Sequence, residues 1–116
     1  MFDSVTTYSK TKQNIERRQP LFFKQREKIN IELGQTVMTR AVGNAVVKNY
    51  LFYHFVFSSL ERYKKHDWGD LPAEDKRMND KGDDRIVARY NSEYGDIYII
   101  SEYDRSYTTI LFTDEY

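Results

Sequence analysis

The chain contains no cysteine, two prolines and five glycines among its 116 residues. The absence of cysteine excludes disulfide bonds, thiolate nucleophiles and thiolate zinc sites, and it fits a reducing compartment. The N-terminal segment MFDSVTTYSK carries an acid at Asp3 and lacks the apolar stretch of a signal peptide. The longest apolar run, at residues 50–57, is far shorter than the roughly 20 residues that a membrane span requires. We therefore expect a cytoplasmic protein with no membrane contact.

The signatures of common catalytic sites are also missing. The sequence has no glycine-rich phosphate loop, no G-x-S-x-G elbow and no histidine pair at zinc-ligand spacing. His54 lies within an aromatic helical segment, and His66 lies at its end, where a cationic ring suits the helix dipole. Both positions favour a structural role. We expect a protein that is not an enzyme and that needs no metal or cofactor.

The formal net charge of the chain is zero, but the charges are unevenly distributed. Residues 1–65 hold twelve Lys and Arg against five Asp and Glu, a net charge of +7, and residues 66–116 carry a net charge of −7. Either the two halves pair within one fold, or a basic face meets nucleic acid or an acidic protein.

The chain is long enough for a single domain with one core. Residues 1–28 are predicted to be a basic N-terminal arm, because seven Lys and Arg outnumber three Asp and Glu there and Pro20 interrupts any long helix. Residues 29–116 are predicted to form the domain. In the arm, basic residues such as Arg17 and Arg18 interleave with aromatic rings, which is the composition that binds single-stranded nucleic acid. An RNA-binding or RNA-processing factor that uses this arm is therefore an alternative function.

Periodicity and capping signals predict an α+β fold. Thr39 is a predicted N-cap, as is Asp70, and the last third of the chain is rich in β-branched and aromatic residues joined by short connectors. We expect two or three helices packed on a C-terminal three-stranded antiparallel β-meander. A strand at 29–33 can join this sheet. The predicted elements are a strand at 29–33, helices at 40–47 and 49–65, a short helix between Asp70 and Gly82, and strands at 85–90, 96–101 and 107–112.

The helix predicted at 49–65 is apolar on two sides. One stripe, which includes Phe52, Val56 and Leu60, recurs at helical spacing and predicts the core face. Tyr50, Tyr53 and Phe57 recur at i, i+3 and i+7 on another side. These rings predict burial under the arm, a surface for a protein partner, or self-association as a homodimer.

An acidic segment follows this helix and reads HDWGDLPAED at residues 66–75. Its carboxylates predict a folded corner, a hydrolase site that uses a metal or acid/base chemistry, or an acidic patch that contacts a partner. We favour the corner, because Gly69 supplies backbone freedom, Trp68 can anchor the bend in the core, and the acids suit a helix start. The four carboxylates belong to Asp67, Asp70, Glu74 and Asp75.

A second polar cluster is EYDRS at residues 102–106. Asp104 suits a turn because its carboxylate can accept backbone N–H bonds. Arg105 is predicted to form an internal ion pair with Glu102 or with the acidic corner. If instead it faces a partner, it suits phosphate or a carboxylate.

Several motifs resemble a small bacterial family that is labelled only as plasmid-related proteins. They are GQTVMT at 34–39, FYHFVFSSLERY at 52–63, DWGDLPAED at 67–75, Asn79, and IYIISEYDRSYTTILFTDEY at 97–116. The chain departs from the family pattern at four positions, one of which weighs further against catalysis because the family has a histidine there. These positions are Ala41, where Gly is usual, Tyr63 for His, Tyr98 for Trp, and Thr113 for Pro.

The resemblance implies a protein encoded on plasmids and other mobile genetic elements. Small proteins on such elements often antagonise host defence, and inhibitors of Cas9-type CRISPR systems are found among them. The resemblance therefore predicts an anti-CRISPR protein that inhibits Cas9 by binding a protein surface or its guide RNA. The residues that we expect to contact the partner are Tyr50, Tyr53 and Phe57 as anchors, Asp80, Asp83 and Asp84 as a charged rim, and Arg17 and Arg18 in the arm.

Overall fold

The computed structural model describes residues 29–81 and 84–116. The predicted arm at 1–28 and Asp83 lie outside the described residues. In chain order the elements are β1 (Gln35–Met38), α1 (Arg40–Lys48), α2 (Tyr50–Lys64), α3 (Ala73–Lys81), β2 (Ile86–Tyr90), β3 (Ile97–Ser101), β4 (Tyr107–Phe112) and a 3₁₀ turn (Thr113–Glu115).

The sheet has the strand order β1-β4-β3-β2. Strands β2, β3 and β4 pair antiparallel in sequence, which confirms the predicted meander and the α+β class. The fourth strand was predicted at residues 29–33, and this prediction is wrong. The strand is β1, which begins after Gly34 and pairs parallel with β4.

Residues 29–33 pack on the core without joining the sheet. The N–H of Ile31 donates to the carbonyl of Lys64 at 3.1 Å, and the side chains of Ile31 and Leu33 pack against the core cluster. The alternation of apolar and polar residues therefore places the apolar side chains on the core. It does not specify a neighbouring strand with which the segment could pair.

Two capping residues define helices α1 and α2. The hydroxyl of Thr39 accepts from the N–H of Val42 at 3.2 Å, which confirms the predicted N-cap. Asn49 ends α1 and begins α2, because its N–H donates to the carbonyl of Ala45 and its side chain accepts from the N–H groups of Leu51 and Phe52. These bonds satisfy donors that every helix start leaves without an intrahelical partner.

The core lies between α2 and one face of the sheet. The predicted stripe is buried, and Phe52 stacks on Phe112 of β4 with ring centroids 5.5 Å apart. At the other end of α2, the Tyr63 hydroxyl donates to Ser101 at 2.7 Å, and Ser101 is 2.7 Å from Thr108. Burial raises the pKa of Tyr63 to about 12, so the ring is a neutral hydrogen-bond donor in the core. Among the helices of the described residues, none is long and apolar enough to cross a membrane.

Candidate functional site: the aromatic face of helix α2

The exposed side of α2 carries an array of rings that we call the aromatic face, formed by Tyr50, Tyr53, His54 and Phe57. Residues three and four positions apart lie on one side of a helix, so this spacing brings the four rings together. Tyr50 and Tyr53 stack with centroids 6.3 Å apart, and Tyr53 contacts Phe57 at 4.9 Å. His54 meets Tyr50 edge-on at 4.5 Å. The rings are therefore ordered against one another.

The aromatic face remains accessible although α2 is packed on the sheet. Tyr50, Tyr53 and Phe57 expose 70%, 41% and 40% of their surface, because Phe52 and Val56 take the side that faces the core. An exposed apolar patch is a candidate for an interaction surface. Rings that already hold one another in place lose little side-chain freedom when a partner binds.

In the acidic corner, the Asp67 side chain is hydrogen-bonded to nearby groups of the protein. Its carboxylate accepts from Arg62 at 2.7 and 3.2 Å and from the N–H of Gly69 at 3.1 Å. The hydrogen bond from Arg62 is the main cause that lowers the pKa of Asp67, and the Gly69 bond adds to it. The Tyr90 hydroxyl donates to the carbonyl of Asp67 at 2.6 Å, so the backbone of the corner is also fixed to β2.

Trp68 and Asp70 hold the corner against the sheet. The Trp68 ring is buried, and its indole N–H donates to Asp80 at 2.9 Å. Asp70 was predicted to cap α3, and this prediction is wrong: α3 begins at Ala73, and the Asp70 carboxylate accepts from the N–H of Asn91 at 2.9 Å. The side chain reaches a loop beyond β2 because the corner runs along that strand.

The outer edge of β2 is covered by this corner and by α3. The N–H of Asp70 donates to the carbonyl of Arg89 at 2.7 Å, and Arg89 donates to the carbonyl of Trp68 at 3.4 Å. The Asn79 side chain donates to the carbonyl of Val87 at 3.0 Å and accepts from its N–H at 3.4 Å. The Asn79 side chain and the backbone of the corner thus form hydrogen bonds with the backbone groups that β2, as an edge strand, would otherwise expose. Sequence reasoning missed Asn79 as an edge partner, and its only signal was its place among the motifs quoted above.

The four carboxylates of the acidic corner do not converge. Two of them, Asp67 and Asp70, accept hydrogen bonds from the protein itself, whereas Glu74 and Asp75 are exposed in the first turn of α3. Within residues 29–81 and 84–116, no group of three acidic or histidine side chains is arranged to hold a metal ion. The geometry of this corner therefore gives the metal-hydrolase alternative no support.

The second polar cluster forms the turn between β3 and β4. Arg105 has a positive φ of 61° and donates to the carbonyls of Glu102 at 2.8 Å and Asp84 at 3.1 Å. The Asp104 carboxylate accepts from the backbone N–H of Ser106 at 3.0 Å. A hydrogen bond from the Ser106 side chain is the main cause that lowers the pKa of Asp104, and the backbone bond adds to it. The guanidinium of Arg105 thereby connects the turn to the segment that precedes β2.

The predicted rim and the predicted anchors occupy different parts of the molecule. Asp80 is bonded to Trp68, which packs on Tyr63 near the C-terminal end of α2, whereas the anchor rings lie in the first half of that helix. Asp84 lies before β2, where the Arg105 side chain reaches its carbonyl. The remaining predicted contact residues, Asp83, Arg17 and Arg18, lie outside the described residues.

The two histidines have different surroundings. His66 adopts a positive φ of 68°, and its Nε2 lies 2.9 Å from the carbonyl oxygen of Ile29. His54 belongs to the aromatic face. Sequence reasoning missed this, because it placed His54 beside the second apolar stripe of the helix and did not count it among the rings. Its position four residues after Tyr50 was the available signal.

The Arg62–Asp67 pair predicts a pH-dependent stability. Because the folded-state pKa of Asp67 is lowered, the pair stabilises the protein above about pH 4 and loses this effect as the pH falls through the folded-state pKa. The side chains are 46% and 48% exposed, so solvent screening limits the contribution to about 0.5 kcal/mol. Urea unfolding of Asp67→Asn at pH 7 and about pH 2.5 measures it.

The expected result is a deficit relative to wild type at pH 7 that becomes smaller at the lower pH. Arg62→Gln serves as the matched control, because it removes the other partner and should lose a similar amount at pH 7. The double variant should lose no more than either single variant. An equal deficit at both pH values would contradict the ionic origin of the effect.

No family model, curated protein or solved structure matches this chain.

Proposed function

We infer that this protein is a non-enzymatic binding protein that antagonises a host defence complex, a Cas9-type CRISPR effector. The observation that carries the proposal is the exposed, mutually packed aromatic face of α2. In this proposal Tyr50, Tyr53 and Phe57 enter pockets on the partner. The protein acts in the cytoplasm, where such effectors work.

The aromatic face has the chemistry of an interface centre. Most of the binding energy of a protein interface comes from a few residues, and tyrosine is enriched among them because its large ring is rigid and its hydroxyl can still bond. Tyr50 is 70% exposed, and its neighbours Leu51 and Val47 are 56% and 84% exposed. Burial of this exposed apolar surface in a complex would supply binding energy.

The identity of the partner rests on the family resemblance and on charge. Cas9 holds its guide and target in a positively charged channel. Residues 66–116 carry a net charge of −7, which favours approach to such a channel and raises the association rate. Because Asp80 and Asp84 lie away from the anchor rings, we assign them to steering rather than to the edge of the anchor site.

The test is a binding and cleavage titration with purified Cas9, with and without guide RNA. We expect the wild-type protein to bind and to lower DNA cleavage in a dose-dependent way. The double variant Tyr50→Ala/Phe57→Ala should bind at least about 30-fold more weakly, which corresponds to about 2 kcal/mol for the loss of central anchors.

Tyr103→Ala is the matched control, since Tyr103 is 71% exposed, as Tyr50 is, but lies in the turn between β3 and β4. It should bind like wild type. A wild-type protein that neither binds Cas9 nor lowers its cleavage would refute the proposed partner. Salt-sensitive RNA binding that is lost in Arg17→Ala/Arg18→Ala would instead support the RNA-binding alternative. Light scattering of wild type and the double variant across concentrations tests self-association through the same rings.

A further inference from the structure

A small pocket lies beside α3, away from the aromatic face. Its volume is about 240 Å³, and its apolar wall is formed by Leu71, Met78 and Val87. The rings of Tyr98 and Tyr116 form another wall. Side chains on a strand alternate between faces. Since the neighbours of Val87 and Tyr98 on their strands belong to the core under α2, the pocket lies on the opposite side of the sheet.

The two tyrosines are held in place. Their rings meet edge-on with centroids 5.3 Å apart, and the Tyr116 hydroxyl accepts from Arg85 at 2.6 Å. Arg85 also lies over the Tyr116 ring at 5.7 Å, and Arg89 lies over the Tyr98 ring at 5.9 Å. Each ring therefore already makes a cation–π contact with an arginine of this chain, which is the type of contact that an aromatic ring forms with a guanidinium group.

Two polar side chains complete the lining, and they differ in what they bind. The amide of Asn79 is engaged by the backbone of Val87. The Asp75 carboxylate lies in the first turn of α3 and lines the pocket. Within the described part of the chain, no hydrogen bond or ion pair engages the Asp75 carboxylate.

We propose that this pocket binds the side chain of an arginine presented by a partner protein. Pockets for drug-sized ligands begin at about 300 Å³, so a volume of about 240 Å³ suits one long side chain better than a cofactor. The aliphatic stem packs along Leu71 and Met78, as such stems do on apolar surfaces. The planar guanidinium meets a tyrosine ring and bonds to Asp75, a combination that lysine reproduces poorly.

The charges nearby determine how strong this binding is. Arg89 is paired with Asp96 at 3.3 Å, so its charge is largely balanced. Arg85 repels an incoming guanidinium but also fixes the Tyr116 ring through its hydroxyl. We therefore expect weak binding of an isolated arginine, with a Kd on the order of millimolar. In a protein complex this contact adds to others.

The pocket is independent of the proposed Cas9 contact, because it lies on the other side of the sheet from α2. The test uses the full-length, ¹⁵N-labelled protein and a small probe, so its outcome does not depend on Cas9. Capped arginine is titrated while amide shifts are followed by NMR, and capped citrulline, which has the same shape without the charge, is titrated in parallel. We expect saturable shifts around Met78, Tyr98 and Tyr116 with arginine, and at least about tenfold weaker binding of citrulline.

Two variants give the test its specificity. Asp75→Asn should weaken arginine binding at least about tenfold. Glu74→Gln removes the same charge from the same helical turn but does not line the pocket, so it should leave the Kd unchanged. The spectra of both variants also report whether they are folded.

Results of three kinds would overturn the proposal. The first is equal binding of arginine and citrulline, or no saturable shift up to about 50 mM probe. The second is an equal loss in Glu74→Gln and Asp75→Asn, because that would indicate a general effect of charge. The third is tighter probe binding in Arg17→Ala/Arg18→Ala/Arg26→Ala, which would assign the pocket to an arginine of residues 1–28. An unchanged Kd supports a partner's arginine.

Discussion

Gly69→Ala should destabilise the protein by about 4 kcal/mol, a large share of the roughly 5–15 kcal/mol that a domain has in total. Gly69 has a φ of +77°, a conformation that costs alanine about 1–2 kcal/mol. A Cβ atom there would overlap the carbonyl oxygen of Arg89 and would lie 2.7 Å from the Tyr90 ring. The corner would have to move away from β2, which breaks the bonds of Asp70 and Trp68 to Arg89, each worth about 1 kcal/mol.

Gly43→Ala is the matched control, because Gly43 lies within α1 and a Cβ atom there would meet only the Met38 sulfur at 4.0 Å. This change should stabilise the protein by about 0.5–1 kcal/mol, since alanine is favoured over glycine in a helix. Thermal and urea unfolding followed by circular dichroism measure both variants. In Gly69→Ala, a melting temperature within a few degrees of wild type would contradict this prediction. It would show that the corner can move away from β2 with little loss of stability.

Trp68→Ala should cost about 3–5 kcal/mol, as removal of a buried tryptophan ring does when the cavity cannot collapse. Trp68 is 3% exposed and meets Tyr63 edge-on at 5.6 Å, so its ring joins α2 to the acidic corner. Its indole N–H also bonds to Asp80 of α3 at 2.9 Å. The loss therefore affects the packing of three segments together.

Trp68→Phe separates packing from hydrogen bonding. It keeps most of the ring but loses the bond to Asp80, so we expect a loss of about 1–2 kcal/mol. Tyr103→Ala should change stability by less than about 0.5 kcal/mol, because an exposed ring contributes little. Urea unfolding followed by far-ultraviolet circular dichroism measures all three variants. Similar losses in Trp68→Ala and Trp68→Phe would show that the ring itself contributes little to packing.

Local signals predicted the helices and the meander well. Thr39 follows the expected capping rule, and the stripe that includes Phe52 and Val56 is buried because its spacing matches one face of a helix. Such features depend on neighbours a few residues apart, so they are present in any short window of the chain. For the same reason, the exposed second stripe at Tyr50 and Phe57 could be identified before its packing was known.

Predictions that required a distant partner were less successful. Residues 29–33 alternate like a strand, yet Val37 and its neighbours are the ones that pair with Thr109 and the rest of β4. Asp70 precedes a helix, yet its carboxylate bonds to Asn91. In both cases the local pattern fits two structures equally well, and the choice depends on contacts with a remote part of the chain.

The amino-acid sequence alone determined the absence of thiol chemistry, the opposed charges of the two halves, and the helices and strands whose periodicity is short. Only the tertiary structure decided which carboxylates accept hydrogen bonds from the protein and which line a pocket. Asp67 is an example of the first and Asp75 of the second. It also decided that Tyr98 and Tyr116 meet at one pocket. The reason is physical: propensity and capping act through adjacent residues, whereas the partner of a side chain is chosen by how distant segments pack.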